Sequence, residues 1–292
     1  MPVADATLRP LIRTALQEDQ AGRDVTTAAL FRTTVPARAV IRATHPLTLA
    51  GVHVARLVFE LVDRRLTVRR AAKDGTRLAA NAVAMVIEGD GRSLLRGERV
   101  ALNFLQRMSG IATLTARYVS AVKGTPAEIL DTRKTAPGLR ALEKWAVRLG
   151  GGVNHRGSLG DAVMIKDNHL ALLQSQGLDA GAACRLARER ARRRPIIVEA
   201  DSLEQVRAAL PAEPDVILLD NMSPLLVRRA VALIRGRALV EVSGGITLAN
   251  VRQMALAGAD RISVGALTHS ASAADLSMEI QPLRRRRPRR AG

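Results

Sequence analysis

From Ala127 to Val264 the chain repeats one pattern: a short apolar run, a polar segment, then a stretch with helical spacing. The runs fall at residues 128–130, 162–165, 196–198, 216–219, 238–242 and 261–264. Helices are expected between them at 139–149, 170–190, 203–210, 224–234 and 248–256. Runs this short and apolar suit strands buried on both faces. Strands that alternate with helices build a parallel sheet with crossover connections. Six units are too few for a full eight-unit barrel, which leaves a smaller or an open one.

Each run is followed at once by polar chemistry. The six segments are Asp131-Thr132-Arg133-Lys134-Thr135, Lys166-Asp167-Asn168-His169, Glu199, Asp220-Asn221, Ser243-Gly244-Gly245 and Gly265-Ala266. In parallel α/β barrels, ligands sit at these C-terminal strand ends. The cations there are Arg133, Lys134, His155, Arg156 and Lys166. Guanidinium forks hold carboxylates and phosphates at two points. Several cations crowded together repel unless an anion offsets them, so a multiply charged ligand is expected; the plainer alternative is a set of surface salt bridges. Glu199 and Asp220 end consecutive strands. With a ligand pyrophosphate they would make a magnesium site; otherwise each simply pairs with a nearby cation. The turns around Gly244-Gly245 and Gly265 are each expected to open a helix, where backbone N–H groups favour phosphate.

The first hundred residues mix both element types. Helices are expected at 8–17 (with Thr7 as cap), at 51–62 and at 98–122, and strands at 38–44, 66–69 and 82–88. On this reading Arg99 falls in the first turn of the long helix. There its charge opposes the macrodipole, and a bound anion would resolve the conflict.

Composition narrows the classes. The net charge of +18 is almost all arginine, and two readings compete: a coding bias toward Arg, or an anionic partner. A single cysteine, Cys184, excludes an intrachain disulfide and fits a reducing, cytoplasmic setting. The N-terminus lacks a signal-peptide pattern, and no run of about 18 apolar residues predicts a membrane span. Residues 281–292 form a basic tail, expected to be disordered. It lacks the interleaved aromatics of a base-stacking surface, so a nucleic-acid role is not expected. There is no Gly-x-Ser-x-Gly elbow and no His-Glu-x-x-His zinc pattern.

Long motifs carry a family resemblance. They are Glu18-Asp19, Asp24-Val-Thr-Thr27, Gly97-Glu-Arg-Val-Ala-Leu-Asn103, Asp131-Thr-Arg-Lys-Thr-Ala-Pro-Gly-Leu-Arg140 and Gly150-Gly-Gly-Val-Asn-His-Arg156. They continue with Met164-Ile-Lys-Asp-Asn-His169, Leu218-Leu-Asp-Asn221, Glu241-Val-Ser-Gly-Gly-Ile246 and Val264-Gly-Ala-Leu-Thr-His269. Together they resemble the quinolinate phosphoribosyltransferases, nearly end to end as far as Ile280. The resemblance implies an N-terminal α/β sandwich (1–110) and a six-stranded, incomplete TIM-like α/β barrel (111–280) whose C-terminal end can pack back on the first domain. It implies phosphoribosyl transfer from phosphoribosyl pyrophosphate to quinolinate with decarboxylation, in NAD biosynthesis, by a homodimer or higher oligomer with shared sites.

Carried over by motif, Arg99 reaches quinolinate in the partner subunit's site. Arg133, His155 and Arg156 hold the quinolinate carboxylates, and Lys134 and Lys166 contact either substrate. Glu199 and Asp220 bind ribose hydroxyls and magnesium, and Ser243, Gly244, Gly245 and Gly265 hold the 5′-phosphate. His269 lies in a matching motif, its role less defined. Ala136, Trp145 and Gly160 depart from the usual residues without removing a charge.

Three rivals remain at this level. A relative acting on nicotinate, or one tied to molybdenum handling, would share the fold; one carboxylate needs fewer cations than two. A phosphate-binding isomerase or lyase would need a general base near neutral pH, and none stands out. A nucleic-acid binder would depend on the basic tail.

Overall fold

The computed structural model describes residues 3–191 and 193–283. The basic segment from residue 284 onward lies outside them. In chain order the elements begin α1 (Asp5–Glu18), α2 (Val25–Leu30), β1 (Pro36–Ala43), β2 (Leu47–Thr48), α3 (Val52–Val62), β3 (Thr67–Ala71), β4 (Arg77–Leu78), β5 (Val83–Asp90) and α4 (Gly91–Ala121). There follow β6 (Glu128–Leu130), α5 (Arg140–Leu149), β7 (Val163–Ile165), α6 (Asp167–Gln174), α7 (Ala180–Arg190), β8 (Ile196–Ala200) and α8 (Leu203–Ala209). The last are β9 (Val216–Asp220), α9 (Pro224–Ile234), β10 (Leu239–Ser243), α10 (Val251–Leu256), β11 (Arg261–Ser263), α11 (Ala266–His269) and β12 (Leu276–Pro282). They form two compact units. The first draws on residues up to Thr113, on Ala141–Gly150 and on the stretch from Ala271; the second on Leu114–Arg140 and Gly151–Ser270.

The first unit is built on an antiparallel sheet in the order β12-β1-β5-β3. Alternate residues of β1, Ala37, Ala39, Ile41 and Ala43, are buried, as the period of a half-covered strand requires. Leu8 and Ile12 of α1 and the apolar face of α3 (Val54, Leu57, Val58, Phe59) add to this core. A side chain at Gly97 would meet the Phe59 ring at 2.9 Å, so glycine there lets α3 lie against α4.

Three expectations need correction here. Thr7 lies inside α1, which starts at Asp5 with Ala4 at its cap position and no side-chain cap. The long helix starts at Gly91, because the Asp90 carboxylate accepts the Arg92 N–H at 3.2 Å and caps the chain earlier than its apolar periodicity shows. Arg99 therefore lies well beyond the first turn, and the macrodipole argument for an anion at that residue falls. The third concerns the chain end: Gln281 and Pro282 belong to β12, paired with Arg38 and Ala37 of β1.

The second unit is a six-stranded parallel sheet in the order β6-β11-β10-β9-β8-β7. Alternation along each strand separates two faces. Ile196 and Val198 of β8 pack outward with Ala183 and Cys184 of α7. Ile197 packs on the other side with Val216, Leu218 and Met164. Register aligns Glu199 with Leu218 and Leu218 with Glu241, one inner layer, and Asp220 with Ser243, the next layer toward the strand ends. Polar residues from both edge strands and all four between them line one cavity, so the sheet is curled into a barrel. A parallel bridge from Leu130 to Val153 extends the β6 edge.

The helix expected at 170–190 is two helices. Gly177, in the left-handed region at φ +73°, breaks it, and the Asp179 carboxylate caps the second piece through the Ala182 N–H.

Candidate active site

The segment after β6 is pinned from both sides. Buried Asp131 accepts the His155 N–H at 2.9 Å and an Asn154 amide N–H at 2.5 Å, which ties it to residues 154–156. On the other flank the Thr268 hydroxyl donates to the Lys134 carbonyl at 2.7 Å. A side chain at Gly265 would stand 3.0 Å from His269 Nε2 and 3.2 Å from Lys134 Cδ, so glycine there permits the approach of lysine and histidine.

These ties gather the polar strand ends around a cavity of about 660 Å³. Its lining includes Arg133, Lys134, His155, Arg156, Lys166, Glu199, Asp220, Ser243, Gly244, Gly245, Gly265 and His269. All but one of the residues given a substrate- or metal-binding role from the sequence thus meet in one place, within the second unit. The exception is Arg99, which lies exposed on α4 in the first unit and is not in this lining.

The cations differ in their partners. Lys166 Nζ donates to Glu199 Oε2, the plain ion pair weighed as the alternative for that carboxylate. Asp220 accepts the Asn221 amide at 2.8 Å. Arg133, Lys134 and Arg156 have no carboxylate at ion-pair distance among the described residues; the Arg156 fork donates to the Ala162 carbonyl at 3.4 Å and to Met164 Sδ. Burial, then the neighbouring charge of Arg133, pull the Arg156 guanidinium below its ordinary value, with Asp161 and Glu199 opposing. Two guanidiniums that feel one another without a shared carboxylate leave a place for an anion.

His155 is spoken for. Its Nδ1 accepts the Arg156 N–H at 2.7 Å, so the ring proton sits on Nε2, which lies 3.2 Å from Glu241 Oε1. The same Oε1 accepts the Ser263 hydroxyl. Sequence reasoning did not single out Glu241 as a site residue. Its signal was available: one charged residue at an inward position of an otherwise apolar strand.

The glycine turns depart from expectation in one respect. Gly244 and Gly245 take φ of +87° and +58°, but α10 begins only at Val251, so this turn does not open a helix. Instead the Asn250 side chain closes the loop, accepting the Thr247 N–H and donating to the Gly245 carbonyl. Two successive left-handed residues form the kind of backbone concavity that binds anions. Asn221, at φ +53°, packs against the turn: a Cβ on Gly244 would stand 2.2 Å from Asn221 Oδ1. Gly265 does precede a helix, the single turn α11.

Among the described residues, no cluster of three or more His, Cys, Asp or Glu forms a closed metal cage. A magnesium ion that shares its shell with a ligand pyrophosphate needs only one or two carboxylates, and Glu199 and Asp220 fit that lesser demand. No helix among the described residues is long and apolar enough to cross a membrane.

Comparison with known proteins agrees across the chain. Residues 24–109 match the family described as quinolinate phosphoribosyl transferase, N-terminal domain, and residues 111–279 its C-terminal domain. A nicotinate-nucleotide pyrophosphorylase [carboxylating] of Mycobacterium leprae is 46% identical over 283 residues, 93% of this chain and 96% of that one. A probable enzyme of the same name from Bacillus subtilis is 40% identical over 274 residues, covering 94% and 93%. The crystal structure of NadC from Streptococcus pyogenes superposes with a TM-score of 0.91 at 39% identity, covering 97% of this chain and 100% of that one.

Proposed function

The chain belongs to the quinolinate phosphoribosyltransferase family, and from that premise we propose how its barrel cavity carries out the family's reaction. The activity is that of a nicotinate-nucleotide pyrophosphorylase (carboxylating), a pentosyltransferase of NAD biosynthesis. The quinolinate nitrogen bonds to the anomeric carbon of phosphoribosyl pyrophosphate, and the bond to pyrophosphate breaks with its electron pair leaving on that group. The pyridinium then takes up the electrons released as the 2-carboxylate departs as carbon dioxide. A proton replaces it, giving nicotinate mononucleotide.

The observation that carries the site assignment is the Arg133–Arg156 pair, mutually repelling and without a carboxylate of its own, beside the Gly244–Gly245 turn in one cavity. A diacid bridging the two guanidiniums removes their repulsion. The backbone concavity at Ser243–Gly245 and the N–H groups at Gly265 take the 5′-phosphate. Lys134, next to Arg133 in the chain and with its side chain close to Gly265, contacts either substrate. Lys166, already turned toward Glu199, orients that carboxylate for the ribose hydroxyls. Asp220, held by Asn221, does the same one strand away. Magnesium, held by Glu199, Asp220 and the pyrophosphate oxygens, would neutralise charge on the departing pyrophosphate. The substrate brings its own nucleophile, so the chain needs no activated serine or cysteine. Its task is to hold two anions in contact against their repulsion.

His155 enters this scheme differently from the family carry-over. With Nδ1 on Arg156 and Nε2 on Glu241, its ring supports the arginine that meets the carboxylate. We also propose that two chains complete each site, Arg99 of one reaching the cavity of the other, and that the protein works in the cytoplasm. The exposed apolar residues Val25 and Leu30 of α2, in the same unit as Arg99, support a subunit interface.

Incubation with quinolinate, phosphoribosyl pyrophosphate and magnesium is expected to yield nicotinate mononucleotide and one carbon dioxide per nucleotide, and nicotinate in place of quinolinate to yield none. Product from nicotinate alone would overturn the choice of substrate. Mixing Arg99→Ala with Lys166→Ala chains, each inactive alone, should restore part of the activity if sites are shared.

A further inference from the structure

Glu241 is the least accounted-for charge in the barrel. It is fully buried on β10, one inner layer below Ser243 and level with Glu199 and Leu218. Both donors that reach it, the Ser263 hydroxyl and His155 Nε2–H, go to Oε1. Oε2 is buried with no hydrogen-bond partner among the described residues. His155 accepts the Arg156 N–H at Nδ1 and turns Nε2 to Oε1, so it leaves Oε2 unmatched. A carboxylate oxygen left bare in a low-dielectric interior is costly. In a cavity lined by cations for anionic ligands, it is also the wrong sign for either substrate.

It has the right sign for what the substrates become. Accepting the phosphoribosyl transfer above, positive charge develops on the ribose ring as pyrophosphate leaves, and it then passes to the pyridinium nitrogen. We propose that Glu241 is a specific electrostatic determinant of this step: its bare carboxylate oxygen disfavours the bound anions and favours the cation that forms between them. An interaction stronger in the transition state than in the ground state raises turnover, whereas one that is equal in both does not. A fixed charge in a dry site acts without reorganising at the moment of reaction. Asp220 stands one layer nearer the strand ends and is tied to Asn221, and Glu199, level with Glu241, is tied to Lys166; Glu241 keeps one oxygen without a partner among the described residues.

Glu241→Gln isolates this role. A glutamine can keep its amide oxygen on Ser263 and His155, so the substitution removes the charge with little change in shape. Turnover is expected to fall tenfold to a hundredfold, while quinolinate, titrated calorimetrically without the second substrate, binds as tightly as to the wild type or up to about tenfold tighter. A residue that merely positions His155 and Arg156 would show the opposite, weaker quinolinate binding with turnover kept. Turnover within threefold of wild type, or quinolinate binding weakened tenfold, overturns the proposal. Glu241→Asp keeps the charge and should retain more turnover than Glu241→Gln; the reverse order also overturns it. Wild-type protein under the same assay separates this from the functional reading: if it fails to consume quinolinate, the reading falls first.

Discussion

The two units treat the same residue type in opposite ways. In the first, one set of arginines is matched to carboxylates: Arg9 to Glu60, Arg38 and Arg69 together to Glu88, Arg65 to Asp63, Arg92 to Asp90 and Arg107 to Glu143. At the barrel rim of the second, Arg133, Lys134 and Arg156 face no carboxylate at such distance among the described residues, whereas Lys166 meets Glu199 and His155 meets Glu241. Outside the rim the second unit also holds matched arginines, as Arg188 with Asp215. Cations that serve the fold have their counter-charge built in. Cations that serve a ligand have it withheld, so that the ligand supplies it. The unpaired state costs stability through repulsion, and that cost becomes binding energy when the anion arrives.

Truncating a cation in each place should therefore damage different quantities. Arg133→Ala is expected to lower kcat/KM for quinolinate about a hundredfold, near 2.7 kcal/mol, with the melting temperature unchanged or slightly raised as Arg156 loses a repelling neighbour. A melting temperature that falls by several degrees would mean that Arg133 serves the fold after all. Asp220→Ala should instead lower kcat about tenfold or more and blunt its dependence on magnesium, with quinolinate affinity kept; unchanged kinetics would remove Asp220 from the site. Arg107→Ala reverses the pattern. Glu143 is 1% exposed, and removing its guanidinium partner should cost roughly 3 kcal/mol of stability, with kcat per folded molecule unaltered. Chemical denaturation and single-turnover assays on the same preparations would show whether the two losses separate.

How much of this was visible in the residues follows from the same physics. Parallel strands buried on both faces read as apolar runs, and all six barrel strands were found within a residue or two of where those runs lie. Helix α9 was legible to the residue, because Ser223 caps it, Pro224 opens it and Gly236, at φ +73°, follows its end. The antiparallel edge strand β12 was not recognised, since its exposed alternation resembles a polar tail. The site residues were legible as types at strand ends, but their pairings were not. Nothing in the spacing says that Lys166 turns to Glu199, that His155 stands between Arg156 and Glu241, or that a five-residue loop held by Asn250 separates the glycine turn from α10. Those depend on which inward layer a side chain occupies, a property of barrel curvature rather than of local pattern.

The smallest expected effect tests the paired half of the comparison by pH. Hydrogen bonds from Arg38 and then Arg69 hold Glu88 below the usual carboxylate range, and Arg65 does the same for Asp63. A group whose folded pKa is depressed binds fewer protons than the unfolded chain does, so stability rises with pH across that interval. These contributions should be complete above about pH 4, the unfolded carboxylate value, and fade as the pH drops below it. Asp74 works against them: burial raises its value, so its ionisation subtracts stability as the pH climbs past 4. The pairs on Glu88 and Asp63 are largely open to solvent on the arginine side, so solvent screening keeps each contribution small. Arg65→Ala should thus flatten the fall in denaturation midpoint between about pH 4 and pH 2 while lowering the midpoint at pH 7 only slightly. Arg133→Ala, lacking a carboxylate to release, should keep the full acid-dependent fall. If the two variants flatten the curve equally, the barrel arginine is paired within the fold, and the contrast between the units is wrong.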